Sequence, residues 1–344
     1  MNKKQIALAL AGALGVAPAA MAQSNVQIYG IVDAFLSWAK AGDNIRRGID
    51  SGGLYGSRLG FRGSEDLGGG LKAVFTLEYP IEVDQNQGIG TSSALRSRQS
   101  FVGLESRYGL LSLGRQYAPG YAIARYDAAG GVPFGPQAIL ASGAGATIVP
   151  ASPARWDNAI AYRSPNFGGV VANAIYSYGE TNQNNNRDAN DRWALSGDYA
   201  NGPLAVGLLY QRGRELTSIG GEDQKEWGLG AIYDFRVVSL YGTYQTIKIH
   251  DTDKVWHLGF RVPVGASYLF AAYGRHDADD SDKSAKAGTI GYRYVLSKRT
   301  SLYGAYTRVN NGDKQRDPNI RPNGVTTNFG DDATGVFLGI DHIF

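Results

Sequence analysis

Apolar and polar side chains alternate along much of this chain, the period-two pattern of an extended strand whose two faces meet different surroundings. Over residues 192–199, Trp193, Leu195, Gly197 and Tyr199 share one face, and Arg192, Ala194, Ser196 and Asp198 the other. Residues 226–233 set Trp227, Leu229, Ala231 and Tyr233 against Glu226, Gly228, Gly230 and Ile232. Residues 238–245 set Val238, Leu240, Gly242 and Tyr244 against Ser239, Tyr241, Thr243 and Gln245. The final run, 336–344, alternates up to a terminal aromatic, Phe344. The pattern predicts sixteen strands, over 26–39, 57–64, 71–83, 95–105, 110–115, 158–164, 170–179, 191–200, 203–213, 224–235, 237–250, 254–262, 267–277, 284–296, 300–310 and 333–344. Most approach the ~9–11 residues of a tilted membrane-spanning strand. In 300–310 the two faces are about equally polar, so the pattern does not orient that strand.

The connectors alternate between short and long. The short ones, at 66–70, 106–109, 165–169, 201–202 and 297–299, are mostly rich in Gly and Asn, the residues of tight hairpin turns. The long ones include 40–56, 116–157, 180–190 and 311–332. A membrane β-barrel sorts its connections this way, with tight turns on the periplasmic side and loops outside. The fold class is therefore all-β, a sixteen-stranded antiparallel transmembrane barrel. One face of each strand is polar, and a barrel of that size is too wide for side chains to fill, which leaves an aqueous channel.

The N-terminus agrees. Met1-Asn2-Lys3-Lys4 is basic, residues 6–17 are apolar, and Ala20-Met21-Ala22 reads as a small-residue cleavage site. This is the pattern of a secretory signal. Residues 1–22 are expected to be removed and 23–344 to form the barrel, a length of 344 − 22 = 322 residues. Loss of Lys3 and Lys4 lowers the formal charge from +3 to +1, so no strong net field points to nucleic acid. After Ala22 no apolar run approaches the ~20 residues of a transmembrane helix. The chain has no cysteine, which excludes disulfides, thiolate metal sites and thiol nucleophiles. Its four histidines, His250, His257, His276 and His342, show no metal-ligand spacing. No cofactor and no metal is expected. Tyr, at 21 residues against 12 Phe, suits membrane–water interfaces.

The segment Ser57-Arg58-Leu59-Gly60-Phe61-Arg62-Gly63-Ser64-Glu65-Asp66-Leu67-Gly68-Gly69-Gly70-Leu71-Lys72-Ala73 resembles the second-strand hairpin of the trimeric general porins of Gram-negative bacteria, most closely the neisserial and burkholderial type. Residues 98–104 (RQSFVGL), 113–116 (LGRQ), 158–168 (NAIAYRSPNFG) and the ending His342-Ile343-Phe344 are similar to that family in the same order. The resemblance covers essentially the whole chain after the leader. It implies an outer-membrane homotrimer in contact with lipid and lipopolysaccharide, with the 84–94 loop as a latch to a neighbouring subunit. It also implies delivery by the barrel-assembly machinery through Phe344, and passage of small ions and hydrophilic solutes. The third external loop, here within 116–157, is expected to fold inward and narrow the pore. A connector that long without strand pattern is unusual unless functional.

In the family, arginines on the inner wall face acids on the inserted loop. The resemblance carries the arginine role to Arg58, Arg98 and Arg163 and a wall acid to Glu78. On the loop, Pro133 and Phe134 are adjacent, so the acid often found between them is missing. Asp127 is the only acid between Gln116 and Ala154, with Arg125 two residues before it. The expected constriction is therefore Arg58, Arg98, Arg163, Arg125, Asp127 and Glu78. An arginine half without a matching acidic half predicts mild anion preference, because a basic ring lowers the barrier for anions. Arg62, Lys72, Arg115 and Arg155 are further basic candidates, and Tyr117, Tyr121 and Tyr126 read as anchors of the loop.

Two other functions compete with a general diffusion pore. A channel specific for sugars or organic anions would call for an aromatic track, and none is continuous here. An outer-membrane barrel enzyme would need a nucleophile, a histidine and an acid within hydrogen-bond reach. Ser267 and His276 are nine positions apart on one predicted strand, too far for that.

Overall fold

The computed structural model describes residues 25–85, 97–180, 188–314, 324–325 and 327–344. The expected leader and most of the expected latch lie outside the described residues. The strands are β1 Asn25–Ala41, β2 Asn44–Ser51, β3 Arg58–Gly68, β4 Leu71–Pro80, β5 Gln99–Ser106, β6 Gly109–Tyr117, β7 Arg155–Arg163, β8 Val170–Ser177, β9 Arg192–Asn201, β10 Leu204–Leu216, β11 Glu222–Asp234, β12 Ser239–Lys248, β13 Thr252–Val264, β14 Ser267–Asp277, β15 Ala285–Val295, β16 Thr300–Asn311 and β17 Ala333–Ile343.

All pairings are antiparallel, and β17 pairs with β1 from Ile31↔Ile343 to Ala41↔Ala333, which closes the sheet on itself. Every described strand but β2, which pairs with β1 alone, has a partner on both sides, and a closed sheet is what a bilayer requires. Seventeen segments make sixteen staves. The outer half of β1 (34–41) pairs with β2 and its inner half (25–31) with β3, so β2 and β3 are two pieces of one barrel strand interrupted at 52–57. Here the structure corrects the sequence reading, which placed 40–56 in an external connector. β2 alternates Ile45, Arg47 and Ile49 with Arg46, Gly48 and Asp50, too polar and too short to stand out. The interruption has a physical cause. The Asp33 carboxylate, fully buried on β1, accepts the backbone N–H groups of Gly53, Leu54 and Tyr55 at 2.7–3.0 Å and the Tyr303 hydroxyl at 2.6 Å. It pulls the 52–57 backbone away from the ladder and satisfies the donors that the ladder loses.

Outward positions are apolar. Val26, Ile28, Leu36, Leu208, Leu229, Leu258, Ile290 and Leu338 are all exposed, which is how lipid-facing side chains appear in an isolated barrel. The register also orients the ambiguous strand. Ser301, Tyr303, Ala305, Thr307 and Val309 of β16 face inward and Leu302 and Tyr306 outward.

The lumen is not uniformly wet. The long connector after β6 turns into the barrel, forms a 3-10 helix over Pro119–Tyr126 and an α-helix, α1, over Pro136–Gly143, and packs against one side of the wall. The wall makes room with small residues: Ala39, Ala41, Ala285, Ala287 and Ala333 surround Ile139 and Leu140 of α1. A Cβ on Gly230 would lie 2.3 Å from the Tyr126 ring, so only glycine admits that ring. Phe134 is fully buried, stacks on Phe337 at 4.4 Å, and its carbonyl accepts the hydroxyls of Thr289 and Thr307. Burial of a side chain of that size contributes roughly 2–3 kcal/mol.

Candidate pore constriction

The loop is clamped by polar groups as well as packed. On its returning arm, the Glu226 carboxylate of β11 accepts the backbone N–H groups of Thr147 and Ile148 and the Thr147 hydroxyl. Gln211 and Gln224 donate to the same carboxylate. Gln245 donates to the Ile148 carbonyl and accepts from Gln137 of α1. On the outgoing arm, the Tyr126 hydroxyl donates to Asp198, and the Arg261 guanidinium donates to the Ala128 carbonyl at 2.7 Å. These partners all lie on β9–β13. The loop therefore lines one flank, and the open lumen is left between its 3-10 helix and the wall of β3–β8.

That wall carries the charge. Arg98, just before β5, donates from Nε to Glu78 Oε1 at 2.8 Å and from Nη2 to the Tyr117 hydroxyl at 3.0 Å. Arg58 at the start of β3 lies 3.7 Å from the same Glu78 oxygen, and its Nε donates to the Gly56 carbonyl in the strand interruption. The kink thus aims an arginine at the pore. Glu78 is 3% exposed and also accepts the Tyr29 and Tyr117 hydroxyls, so one carboxylate serves two guanidiniums. Tyr117 and Tyr121 stack at 4.0 Å, and the Arg155 guanidinium lies over both rings at 5.7 Å. Burial opposes ionisation of the Tyr121 phenol, yet Arg98, Arg58 and Arg155 outweigh it and hold its pKa below the usual value. A neutral phenol so shifted reports a positive local potential.

Arg125 and Arg163, both exposed, line a cavity of about 580 Å³ below the loop, together with Tyr117, Tyr121, Asn173 and Asp198. Arg163 faces inward opposite Asn173 near the short-turn end, in register through Leu110 with Glu105, seven positions along the chain from Arg98.

Asp127 goes elsewhere. It is fully buried, with Oδ1 3.1 Å from His257 Nε2 on β13, and it accepts the backbone N–H groups of Ala129 and Gly131. Burial raises the cost of its charge, but His257 and those donors outweigh it and hold the pKa below the ordinary carboxylate range. Asp127 ties the loop to the wall and does not face the open lumen. Arg115 faces outward and pairs with Asp157 at 2.7 Å.

Two inward arginines escaped the sequence reading. Arg261 sits over Tyr241 and Tyr268, and Arg293 over Tyr55, whose hydroxyl accepts from it. Strand parity held the signal: Arg261 alternates with Trp256, Leu258 and Phe260, which mark the lipid face.

A family model described as Gram-negative porin matches residues 7–314. This chain belongs to the Gram-negative porin family. The porin is 36% identical to outer membrane porin protein 32 of Delftia acidovorans over the whole of both chains. It is 31% identical to an outer membrane porin protein of Bordetella pertussis, over 89% of this chain and 94% of the relative. Among solved structures it superposes on the anion-selective porin from Comamonas acidovorans with TM-score 0.80 and 32% identity, covering 94% of this chain and 100% of that one. The porin is an outer-membrane channel rather than an enzyme, and porins of this family pass solutes and are generally trimeric.

Proposed function

We propose that this porin is a passive diffusion pore for ions and small hydrophilic solutes with a mild preference for anions, and that Arg58, Arg98, Arg163 and Arg125 set that preference with Glu78 as partial counter-charge. One observation carries the reading. The wall places Arg58 and Arg98 on a single carboxylate and stacks Arg155 beside them, while the loop spends Asp127 on His257. The similarity to a protein described as an anion-selective porin supports the sign. We propose further that the porin is a homotrimer cleaved after Ala22 and set among lipid and lipopolysaccharide. It is delivered by the barrel-assembly machinery through Phe344, whose backbone pairs with Gly30 of β1.

The test is reversal potential across a KCl gradient in planar bilayers. The expected result is a potential of anion-preferring sign, moved toward cations by Arg98→Glu. A clear cation preference of the unaltered protein would overturn the reading, and an Arg98→Glu protein with unchanged selectivity would remove Arg98 from the pore-facing group. Conductance steps arriving in threes are the expected mark of the trimer.

A further inference from the structure

One stretch of the inner wall is apolar where a water-filled lumen calls for polar side chains. Val102, Leu104, Leu111 and Leu113 are exposed on the lipid side of β5 and β6, so the alternate positions Phe101 and Leu110 point into the lumen. Val74 of β4 and Val171 of β8 face the same way. All four inward residues are half-buried, with no part of the inserted loop packed over them among the described residues. A Cβ on Gly103 would press on Leu110 Cδ1 at 3.1 Å, so the glycine lets that side chain lie across the strand beside Phe101. Phe101 and Leu110 form a common wall of two cavities, the one of about 580 Å³ below the loop and a second of about 320 Å³ toward β1 and β3. Apolar surface left against water is unfavourable in proportion to its area.

Cationic groups flank this surface. Arg163 lies directly opposite Leu110 across β6 and β7, where paired Cβ atoms stand about 4.5–5.5 Å apart. Arg125, on the 3-10 helix, lines the loop side of the larger cavity together with the stacked rings of Tyr117 and Tyr121. Both arginines are exposed, and neither has an ion-pair partner among the described residues. The acids nearby are engaged or offset. Asp198 accepts the Tyr126 hydroxyl at 2.8 Å and the Asn173 amide at 3.5 Å, and Glu105 lies opposite Lys72. An apolar shelf edged by free guanidiniums suits a flat apolar body that ends in a carboxylate, since a guanidinium fork matches the two carboxylate oxygens. A small inorganic anion leaves the shelf uncovered, and an uncharged ring leaves the arginines without a partner.

We propose that the inner wall on the short-turn side of the constriction is a retention site for arene carboxylates, with the ring against Phe101 and Leu110 and the carboxylate on Arg163, assisted by Arg125. The proposal rests on the reading of the lumen as an anion-preferring pore and names a solute class held within it. A single shelf is enough to retain a solute, whereas guided passage would call for a continuous track. Covering one methylene-sized group strengthens retention about fourfold. Partial cover of a fused ring therefore places an arene carboxylate well above acetate.

The experiment reads single-channel current of the folded protein in planar bilayers in KCl while sodium naphthoate, sodium acetate or uncharged naphthamide is added. The half-blocking concentration is expected to be lower for naphthoate than for acetate or naphthamide by about tenfold or more. F101T/L110T puts polar, strand-forming side chains at the same inward positions. It is expected to raise the naphthoate value about fivefold and to leave the acetate value nearly in place. F101L/L110M keeps an apolar shelf and is expected to keep the preference for naphthoate. R163Q is expected to raise the naphthoate value about threefold. Equal block by naphthoate and acetate, or a naphthoate value unmoved by F101T/L110T or by R163Q, would overturn the proposal. The reversal potential of the unaltered protein in KCl alone judges the pore reading separately. An anion-preferring pore that treats naphthoate like acetate loses only the retention site, and a cation-preferring pore loses the reading on which that site rests.

Discussion

Glu78→Gln tests the constriction with one atom changed in kind and almost none in place. The carboxylate accepts from Arg98, Tyr117 and Tyr29 and balances Arg58 at 3.7 Å. A glutamine carbonyl can keep the Arg98 and Tyr117 bonds, and its amide can donate to the Tyr29 oxygen in place of the bond that Tyr29 gave. What is lost is one negative charge beside the path of a permeating ion. At a separation on the order of 7 Å in water, a unit charge contributes about 0.6 kcal/mol. At 0.1 M salt, screening over a Debye length of about 10 Å halves that to roughly 0.3 kcal/mol. The effect has opposite sign for anion and cation, so the permeability ratio changes by about 0.6 kcal/mol, or roughly threefold toward anions. At 1 M salt the Debye length is about 3 Å and the change all but vanishes. Reversal potentials at both salt concentrations read this directly. An unchanged ratio at low salt, a shift toward cations, or a shift that persists undiminished at high salt would each refute the placement of this charge at the pore.

Three further outcomes follow from the loop and the barrel closure. Glu226→Ala leaves the Thr147 and Ile148 N–H groups without their acceptor, a loss of about 2–4 kcal/mol. It is expected to raise single-channel conductance and noise as the returning arm loosens, and a quiet channel of unaltered size would count against the clamp. Gly30→Val brings a Cβ to 2.3 Å from the Phe344 ring and 2.6 Å from the Arg58 carbonyl. The fraction reaching the heat-resistant folded form is expected to fall sharply, as read by gel mobility of unboiled samples. Asp127 has a folded pKa below its unfolded one. Its stabilisation is therefore complete above the ordinary carboxylate value of about 4 and is lost as the pH falls through the lower folded value. Protease cleavage within 116–157 is expected to appear at that acid extreme and to be absent at neutral pH.

The barrel was legible because a membrane strand repeats one instruction, and the alternation around Trp193, Trp227 and Leu240 states it clearly. The fate of Asn44–Ser51 was not. Its inward positions meet water and its strand is short, so local pattern fell below the signal of a loop. The cause of the break, Asp33, lies one strand away and gathers N–H groups that no motif connects to it. Of the expected constriction residues, Arg58, Arg98 and Glu78 lie together because Glu78 pairs with Gly60 and Gln99, which sets Arg58 two positions and Arg98 one position from its partners on the adjacent strands. Arg163 and Arg125 line the lumen below them. Asp127 was read as a loop acid facing the arginines, since its position between Pro119 and Pro136 could be counted but its partner could not. His257 lies 130 positions later and meets it only after the loop enters the barrel.

The inserted loop draws most of its hydrogen-bond partners from β9–β13, with Thr289 of β15 and Thr307 of β16 holding Phe134, so the passage runs off the barrel axis along the β3–β8 wall, with a different chemistry on each bank. Side chains on the 3-10 helix can therefore be exchanged to retune the gap without disturbing a single rung of the ladder that keeps the cylinder shut. Aperture and durability can vary separately in such a design.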